Sequence, residues 1–207
     1  MNTRELLALS PIVPVMVIDD AEAAVDLAQA LVAGGIYALE ITLRTPAALP
    51  AMRRIRDAVP QAVVGAGTIT QPLQVQQCID AGAQFGVSPG LTPALANAVQ
   101  SAALPFLPGV ASASELMAAL AAGFDTCKLF PAEAVGGIKL LQALAGPFAD
   151  ARFCPTGGIT PANAADYLAL PNVLAVGGSW LTPKAAVAAQ DWTEITRLAQ
   201  AAGALRA

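Results

Sequence analysis

The sequence predicts an α/β fold, and more narrowly a single (β/α)8 TIM-barrel domain over residues 1–207 with a short extra N-terminal helix. Short apolar, β-branched runs alternate with longer Ala- and Leu-rich amphipathic segments, which is typical of βα units around a parallel sheet. Eight such units fit a chain of 207 residues without a linker or a low-complexity segment. A doubly wound open sheet is the alternative, but no G-x-G-x-x-G motif follows the first predicted strand.

Each predicted strand is a short run dominated by apolar and β-branched residues. The strands are predicted at Ile12–Val17, Ile36–Thr42, Ala62–Gly65, Phe85–Ser88, Pro105–Pro108, Thr126–Leu129, Arg152–Cys154 and Val173–Val176. The helices are predicted at Ala21–Val32, Pro46–Ala58, Pro72–Ala81, Pro93–Ser101, Ser114–Ala122, Gly137–Ala145, Pro161–Ala169 and Trp192–Ala202, with the extra one at Thr3–Leu9.

The junctions between these elements carry residues that begin and end helices. A Thr-Pro pair places a hydroxyl at the N-cap and proline at the first helical position, where its missing N–H costs nothing. Such pairs occur at Thr45-Pro46, Thr92-Pro93, Thr160-Pro161 and Thr182-Pro183, with Gln71-Pro72 as a weaker version. Glycines that suit the left-handed position after a last turn occur at Gly34-Gly35, Gly82, Gly123 and Gly146.

The composition excludes several classes of function. The chain has no histidine, which removes Ser-His-Asp and Cys-His triads and the usual His-ligated metal sites. A formal net charge of −4 without a basic run argues against nucleic acid. The charge-free stretch from Ala81 to Ser114 is broken by glycines and prolines, so no membrane span is expected. The widely spaced Cys78, Cys127 and Cys154 are interpreted as buried thiols of a cytoplasmic protein.

Polar side chains interrupt two strands that should be apolar. In Leu39-Glu40-Ile41-Thr42-Leu43-Arg44, alternation turns the apolar residues toward the helices, so Glu40 points into the barrel and Arg44 lies above it at the rim. The same alternation turns Cys127 and Leu129 outward and Lys128 inward. The other two lysines, Lys139 and Lys184, are interpreted as solvated.

An inward lysine in an apolar barrel has a specific chemical use. Removal from water disfavours the charged form of an amine, and an uncharged amine attacks a carbonyl carbon to form a Schiff base. The protonated imine accepts electrons when the neighbouring C–C bond breaks, and a carboxylate such as Glu40 can carry the protons. Arg44 offers two parallel N–H donors to a substrate carboxylate. The alternative is that Glu40 and Lys128 form a structural ion pair, which costs the desolvation of both charges.

Glycine-rich turns follow the last two predicted strands. They are Thr156-Gly157-Gly158-Ile159-Thr160 and Gly177-Gly178-Ser179. The loops after strands 7 and 8 of this fold frequently bind phosphate through backbone N–H groups. The three sites together predict a substrate with an acid at one end, a ketone near it and a phosphate at the other end.

These motifs resemble those of the 2-keto-3-deoxy-6-phosphogluconate aldolase family, and the similarity covers nearly the whole chain. The motifs are Leu39-Glu40-Ile41-Thr42-Leu43-Arg44-Thr45, Val64-Gly65-Ala66-Gly67-Thr68, Ser88-Pro89-Gly90, Lys128-Leu129-Phe130-Pro131-Ala132-Glu133, Phe153-Cys154-Pro155-Thr156-Gly157-Gly158-Ile159 and Gly177-Gly178-Ser179-Trp180. The resemblance implies a class I aldolase of the Entner–Doudoroff pathway that forms a homotrimer of (β/α)8 barrels and needs no metal.

The same resemblance implies a role for each matching residue. Lys128 would form the Schiff base and Glu40 would be the general acid/base. Arg44 and Thr68 would hold the pyruvate carboxylate. The remaining substrate contacts would be Pro89 and Phe130 in the pyruvyl pocket, Thr156 at the hydroxylated middle, and Gly157, Gly158, Gly178 and Ser179 at the phosphate.

Two positions favour the gluconate-type substrate over the galactonate-type. Galactonate-type relatives tend to carry an arginine just after the first strand and an aliphatic residue in place of Thr156, whereas this chain has Val17-Ile18-Asp19-Asp20 and keeps the threonine. Many relatives also look able to cleave 4-hydroxy-2-oxoglutarate. Two further hypotheses are a phosphosugar isomerase or synthase that forms no imine, and a non-catalytic phosphate-ligand sensor.

Overall fold

The computed structural model describes residues 1–206 and has an α/β fold, so the predicted domain end at residue 207 lies outside the described residues. The strands are β1 (Ile12–Met16), β2 (Ala38–Thr42), β3 (Val63–Gly67), β4 (Phe85–Val87), β5 (Phe106–Leu107), β6 (Gly109–Val110), β7 (Thr126–Leu129), β8 (Arg152–Phe153) and β9 (Val176–Gly178). The α-helices are α1 (Thr3–Ala8), α2 (Ala24–Ala33), α3 (Ala48–Ala58), α4 (Pro72–Asp80), α5 (Pro93–Ser101), α6 (Ala113–Ala121), α7 (Gly137–Ala145), α8 (Ala164–Leu168), α9 (Lys184–Ala188) and α10 (Trp192–Gly203).

The strands form two parallel sheets. One has six strands in the order β5-β4-β3-β2-β1-β9 and the other has the order β6-β7-β8. Strands β5 and β6 are separated by a single residue, Pro108. Proline breaks the strand there because it has no N–H to donate to a neighbouring strand. Two isolated parallel bridges connect β8 and the loop after it with the segment that ends in β9. They join Phe153 to Val173 and Thr156 to Gly177.

Two apolar layers lie on opposite sides of the strands. The smaller layer is a cluster that joins Val13, Ala38, Phe85 and Ala175 from four different strand segments. Strands that are distant in the sheet order can share one cluster only if the sheet curls around it. Leu6 and Leu7 of α1 are buried in this interior cluster, whereas the larger cluster lies between the strands and the other helices. The N-terminal helix therefore covers one end of the curled sheet.

The predicted parallel α/β arrangement is confirmed, with differences at the ends of elements. Each of the eight predicted strands overlaps an observed one, but Pro108 divides the fifth, and the eighth runs from Val176 to Gly178 instead of ending at Val176. Helix α9 was not predicted, nor were the 3-10 turns at Glu133–Val135 and Ala204–Arg206. Among the described residues no helix is long and apolar enough to cross a bilayer.

The predicted Thr-Pro caps are correct at one position and wrong at three. Thr92 caps α5 and accepts a hydrogen bond from the Leu95 N–H at 3.2 Å. The Thr45 hydroxyl instead donates to the Ile18 carbonyl, and its helix begins later, at Ala48. The Thr160 hydroxyl donates to Asn163 Oδ1, and Asn163 is the N-cap residue of α8.

The third wrong cap is Thr182, because Pro183 itself occupies the N-cap position of α9. Gly82 and Gly123 have the predicted left-handed φ of 91° and 80°. Gly146 does not, since its φ is −65°.

The three cysteines are buried, as predicted. Burial raises the pKa of Cys78 to about 12. Burial, followed by the charge of Asp125, also raises the pKa of Cys127 to about 12. These two thiols are therefore protonated at neutral pH.

Candidate active site

Glu40 of β2 and Lys128 of β7 meet inside the curled sheet. Their side chains are only 3% and 7% exposed, and Lys128 Nζ donates to Glu40 Oε1 at 3.4 Å. Lys128 Nζ also lies 5.0 Å from the centroid of the Phe130 ring. Among residues 1–206 no other hydrogen bond or ion pair uses either side chain. The structure thus brings together the two residues predicted to be catalytic.

The geometry of this pair is poor for a stabilising ion pair. Charge-assisted N–H···O bonds are normally about 2.7–2.9 Å long, and a buried pair offsets its desolvation only with short, multiple contacts. The single 3.4 Å contact between Lys128 and Glu40 does not meet that requirement. Two buried, loosely paired ionisable groups on neighbouring faces of the strands are typical of a functional site.

Close packing from β3 sets the position of the Glu40 carboxylate. A Cβ atom added to Gly67 would lie 2.3 Å from Glu40 Oε1, so only glycine fits there. Thr68 follows with a φ of 62°. A β-branched residue rarely adopts this left-handed conformation, and such strain concentrates at functional sites. Thr68 is therefore a strained residue directly after the glycine that packs against Glu40.

Pro89 approaches the pair from β4. The register of β6 on β7 sets Gly109 opposite Lys128. A Cβ atom added to Gly109 would lie 2.2 Å from the Pro89 carbonyl oxygen. The chain at Pro89 therefore abuts the residue that lies opposite Lys128 in the sheet.

The two glycine-rich turns lie side by side. The bridge between Thr156 and Gly177 joins them, and a Cβ atom added to Gly177 would lie 2.1 Å from Thr156 Oγ1. Gly157 and Gly158 have left-handed φ values of 102° and 81°, which favour glycine at both positions.

The turn at residues 157–158 is held by its carbonyl groups. The Glu133 N–H donates to the Gly157 carbonyl at 3.1 Å, and Asn163 Nδ2 donates to the Gly158 carbonyl at 3.1 Å. Because the N–H of a trans peptide points opposite to its C=O, the Gly158 N–H points away from Glu133. In the described part of the chain no hydrogen bond uses the N–H of Gly158 or of Ser179. Unpaired N–H groups on neighbouring turns are suited to bind an anion.

A cavity of about 820 Å³ opens beside these turns. Arg44 and Ser179 line it, together with Val15 of β1. Glu40 and Lys128 are both buried, and neither lines this cavity. Arg44 is exposed, and within residues 1–206 no hydrogen bond or ion pair uses its guanidinium.

Some residues of this region were not predicted. Asp19 and Lys184 line the same cavity as Arg44 and Ser179, although Lys184 was interpreted as merely solvated. The only feature of the sequence that points to Lys184 in this cavity is its position five residues after Ser179. Gly67 was noted only as part of a motif, because contact with Glu40 depends on the neighbouring strand.

Comparisons with known proteins agree with this geometry. The family profile for KDPG and KHG aldolase matches residues 3–198. The KHG/KDPG aldolase of Escherichia coli K12 is 52% identical over 201 residues, which are 97% of this chain and 94% of that protein. The structure of KDPG aldolase from Legionella pneumophila, with pyruvate captured at low pH as a covalent carbinolamine intermediate, has a TM-score of 0.96 and 46% identity, and the match covers 98% of each chain.

A second solved structure is similar to a comparable degree. The 2-keto-3-deoxy-6-phosphogluconate aldolase of Zymomonas mobilis ZM4 with 3-phosphoglycerate has a TM-score of 0.93 and 47% identity, and the match covers 97% of this chain and 94% of that one. Family profile, sequence identity and fold all agree over almost the full length. The chain therefore belongs to the KDPG and KHG aldolase family.

Proposed function

We propose that this chain is a class I aldolase that cleaves 2-keto-3-deoxy-6-phosphogluconate to pyruvate and glyceraldehyde 3-phosphate in the Entner–Doudoroff pathway. The observation that carries the proposal is the buried Lys128 amine, which makes one long contact with a buried carboxylate. The covalent pyruvate carbinolamine in the Legionella pneumophila relative supports an imine mechanism. The same site would also cleave 4-hydroxy-2-oxoglutarate to pyruvate and glyoxylate.

The reaction begins with the attack of the Lys128 amine on the ketone carbon, C2. Loss of water from the resulting carbinolamine gives a protonated imine. Glu40 then accepts the proton of the C4 hydroxyl, the C3–C4 bond breaks, and its electrons move to the imine nitrogen to give an enamine. The aldehyde leaves, C3 takes up a proton, and water hydrolyses the imine to release pyruvate and the free amine.

The rim residues would hold the two ends of the substrate. Arg44 and Thr68 would bind the carboxylate. Pro89 and Phe130 would line the pyruvyl pocket, and the hydroxyl of Thr156 would contact the hydroxylated middle. The unpaired N–H groups of Gly158 and Ser179, with Gly157 and Gly178 beside them, would bind the phosphate, because backbone N–H groups carry partial positive charge.

The finer architecture is part of the proposal. We infer a closed (β/α)8 barrel in one domain, supported by the bridge between Thr156 and Gly177 on one side of the sheets and by the near-continuity of β5 and β6 across Pro108 on the other. We also propose a homotrimer in the cytoplasm, as the family resemblance implies, with no metal or other cofactor.

Borohydride reduction in the presence of pyruvate tests the imine. We expect one reduced pyruvyl group on the peptide that contains Lys128, detected by mass spectrometry, and none on Lys128→Ala. Lys139→Ala is the matched control and should label like the wild type, because Lys139 lies on α7 and is exposed. Labelling of Lys139, or no adduct at all, would refute the assignment. An isomerase or synthase without an imine would ignore borohydride and tolerate Lys128→Arg.

A coupled assay for pyruvate release tests the substrate. We expect the gluconate-type substrate to be cleaved with a higher kcat/KM than its galactonate epimer, because Thr156 is retained and residues 17–20 lack arginine. A preference for the galactonate epimer would contradict the substrate assignment while leaving the imine mechanism intact.

A further inference from the structure

A hydrogen bond between a buried tyrosine and an exposed glutamate lies next to the candidate phosphate site but has no part in the proposed mechanism. Tyr167 of α8 is fully buried, and its hydroxyl donates to Glu133 Oε1. Burial, followed by the hydrogen bond and the charge of Glu133, raises the pKa of Tyr167 above its ordinary value. The phenol is therefore a neutral donor throughout the physiological pH range.

Glu133 connects the strand that carries Lys128 with the Gly157-Gly158 turn. Its N–H donates to the Gly157 carbonyl at 3.1 Å, and the preceding Ala132 N–H donates to the Thr156 carbonyl at 2.8 Å. Its side chain packs under the turn, since a Cβ atom added to Gly158 would lie 2.5 Å from Glu133 Cγ. Both the main chain and the side chain of Glu133 thus set the position of the turn.

Gly137, the first residue of α7, leaves room for the hydrogen bond between Tyr167 and Glu133. A Cβ atom added to Gly137 would lie 2.6 Å from the Tyr167 hydroxyl oxygen and 3.3 Å from Glu133 Oε1, and the φ of Gly137 is 52°. Any larger residue would displace the hydrogen bond. Three segments of the chain therefore converge on one contact directly behind the turn.

We propose that Glu133 and Tyr167 are positioning residues that hold the Gly157-Gly158 turn in its phosphate-binding shape, and that their hydrogen bond sets the preference for phosphorylated over phosphate-free substrates. The inference rests on the proposed function. Backbone N–H groups stabilise an anion only when they are aimed at it in advance. A shift of the turn weakens contacts to the phosphate, whereas the keto-acid end of the substrate reacts at Lys128 without using the turn.

Tyr167→Phe tests the proposal because it removes one hydroxyl and keeps the buried ring. We expect KM for 2-keto-3-deoxy-6-phosphogluconate to rise about five- to tenfold, on the scale of one ordinary hydrogen bond, with kcat within about twofold of wild type. Cleavage of 4-hydroxy-2-oxoglutarate and pyruvate trapping at Lys128 should not change. Tyr37→Phe, at the other tyrosine of the chain, is the matched control and should behave like wild type on both substrates.

Variants of Glu133 provide an independent test at an exposed residue, where folding is less at risk. Glu133→Gln keeps an acceptor oxygen, so its KM for the phosphorylated substrate should stay near the wild-type value. Glu133→Ala should raise this KM as much as Tyr167→Phe does. If the two residues act through one hydrogen bond, the double variant Tyr167→Phe/Glu133→Ala should be no worse than either single variant.

Three results would overturn the positioning role. They are an unchanged KM for the phosphorylated substrate in Glu133→Ala, an equal loss on both substrates, and additive effects in the double variant. Failure of the proposed function is distinguishable, because it would appear as absence of trapped pyruvate on the wild-type enzyme. If the wild-type enzyme traps pyruvate but the variants show no change in KM that is specific to the phosphorylated substrate, the positioning role is refuted and the proposed function stands.

Discussion

The interior of the curled sheet and its rim differ in the kind of group that they present. In the interior, Glu40 and Lys128 meet through side-chain atoms and are 3% and 7% exposed. At the rim, Gly158 and Ser179 are exposed and offer unpaired backbone N–H groups. Burial suits groups that exchange protons, because fixed neighbours in place of water set their pKa values. Exposure suits backbone groups that bind and release a charged ligand. We therefore expect substitutions in the interior to lower kcat and substitutions at the rim to raise KM.

Substitution of Lys128 should have the largest effect. Lys128→Arg keeps a positive charge near Glu40 but removes the amine nucleophile, so we expect kcat to fall by more than about 10⁴-fold. Pyruvate release in the coupled assay provides the measurement. Retention of activity by this variant would show that the interior pair serves structure only.

Glu40→Gln should have the next largest effect. The amide has nearly the same shape but cannot accept a proton, so kcat should fall about 10²–10⁴-fold. Borohydride should still trap pyruvate on Lys128, more slowly. If instead the thermal midpoint falls and kcat is preserved, the contact between Glu40 and Lys128 is structural.

Gly158→Ala should weaken recognition at the rim without abolishing chemistry. The new Cβ atom would lie 2.5 Å from Glu133 Cγ at a φ of 81°, so the turn must move. We expect KM for the phosphorylated substrate to rise about tenfold, the loss that corresponds to about 1.4 kcal/mol of binding free energy.

Gly146→Ala is the matched control for that substitution. Nothing lies within 4 Å of its added Cβ atom, and its φ is −65°. Alanine should therefore leave KM unchanged and stabilise the fold by about 0.4–1 kcal/mol, measured by denaturant unfolding. Equal effects of the two substitutions on KM would contradict a special role for the turn.

Lys184→Ala should have a smaller effect on recognition. Lys184 lines the cavity that Arg44 and Ser179 share, so its charge should attract a phosphorylated substrate. We expect a two- to fivefold rise in KM at low salt, roughly the scale of one screened surface charge, and no change at high salt. Lys139→Ala should leave KM unchanged at both salt concentrations.

The smallest effect is expected from thiol reagents. At pH 8 only about one in 10⁴ molecules carries a thiolate at Cys78 or Cys127, because burial raises both pKa values to about 12. Native protein should resist alkylation of these residues, and unfolded protein should react fully, as measured by peptide mapping. Rapid labelling of either residue in the native state would contradict their burial.

The sequence by itself determined the parallel α/β arrangement, the inward orientation of Glu40 and Lys128, and the residue types of the glycine turns. Strand alternation and helix periodicity are local properties of the chain, so a pattern of neighbouring residues is enough to predict them. Local patterns also predicted the cap at Thr92 but failed at Thr45, whose hydroxyl bonds the Ile18 carbonyl from a distant segment.

Only the tertiary structure decided which of these residues meet. The 3.4 Å contact joins residues 88 positions apart, and the requirement for glycine at position 67 arises from a neighbouring strand. Likewise, Tyr167 and Glu133 are separated by 34 positions and meet only because α8 packs behind the loop after β7. The reason is physical: contact distances and buried volume depend on how distant segments pack together, and a local sequence pattern carries no record of that packing.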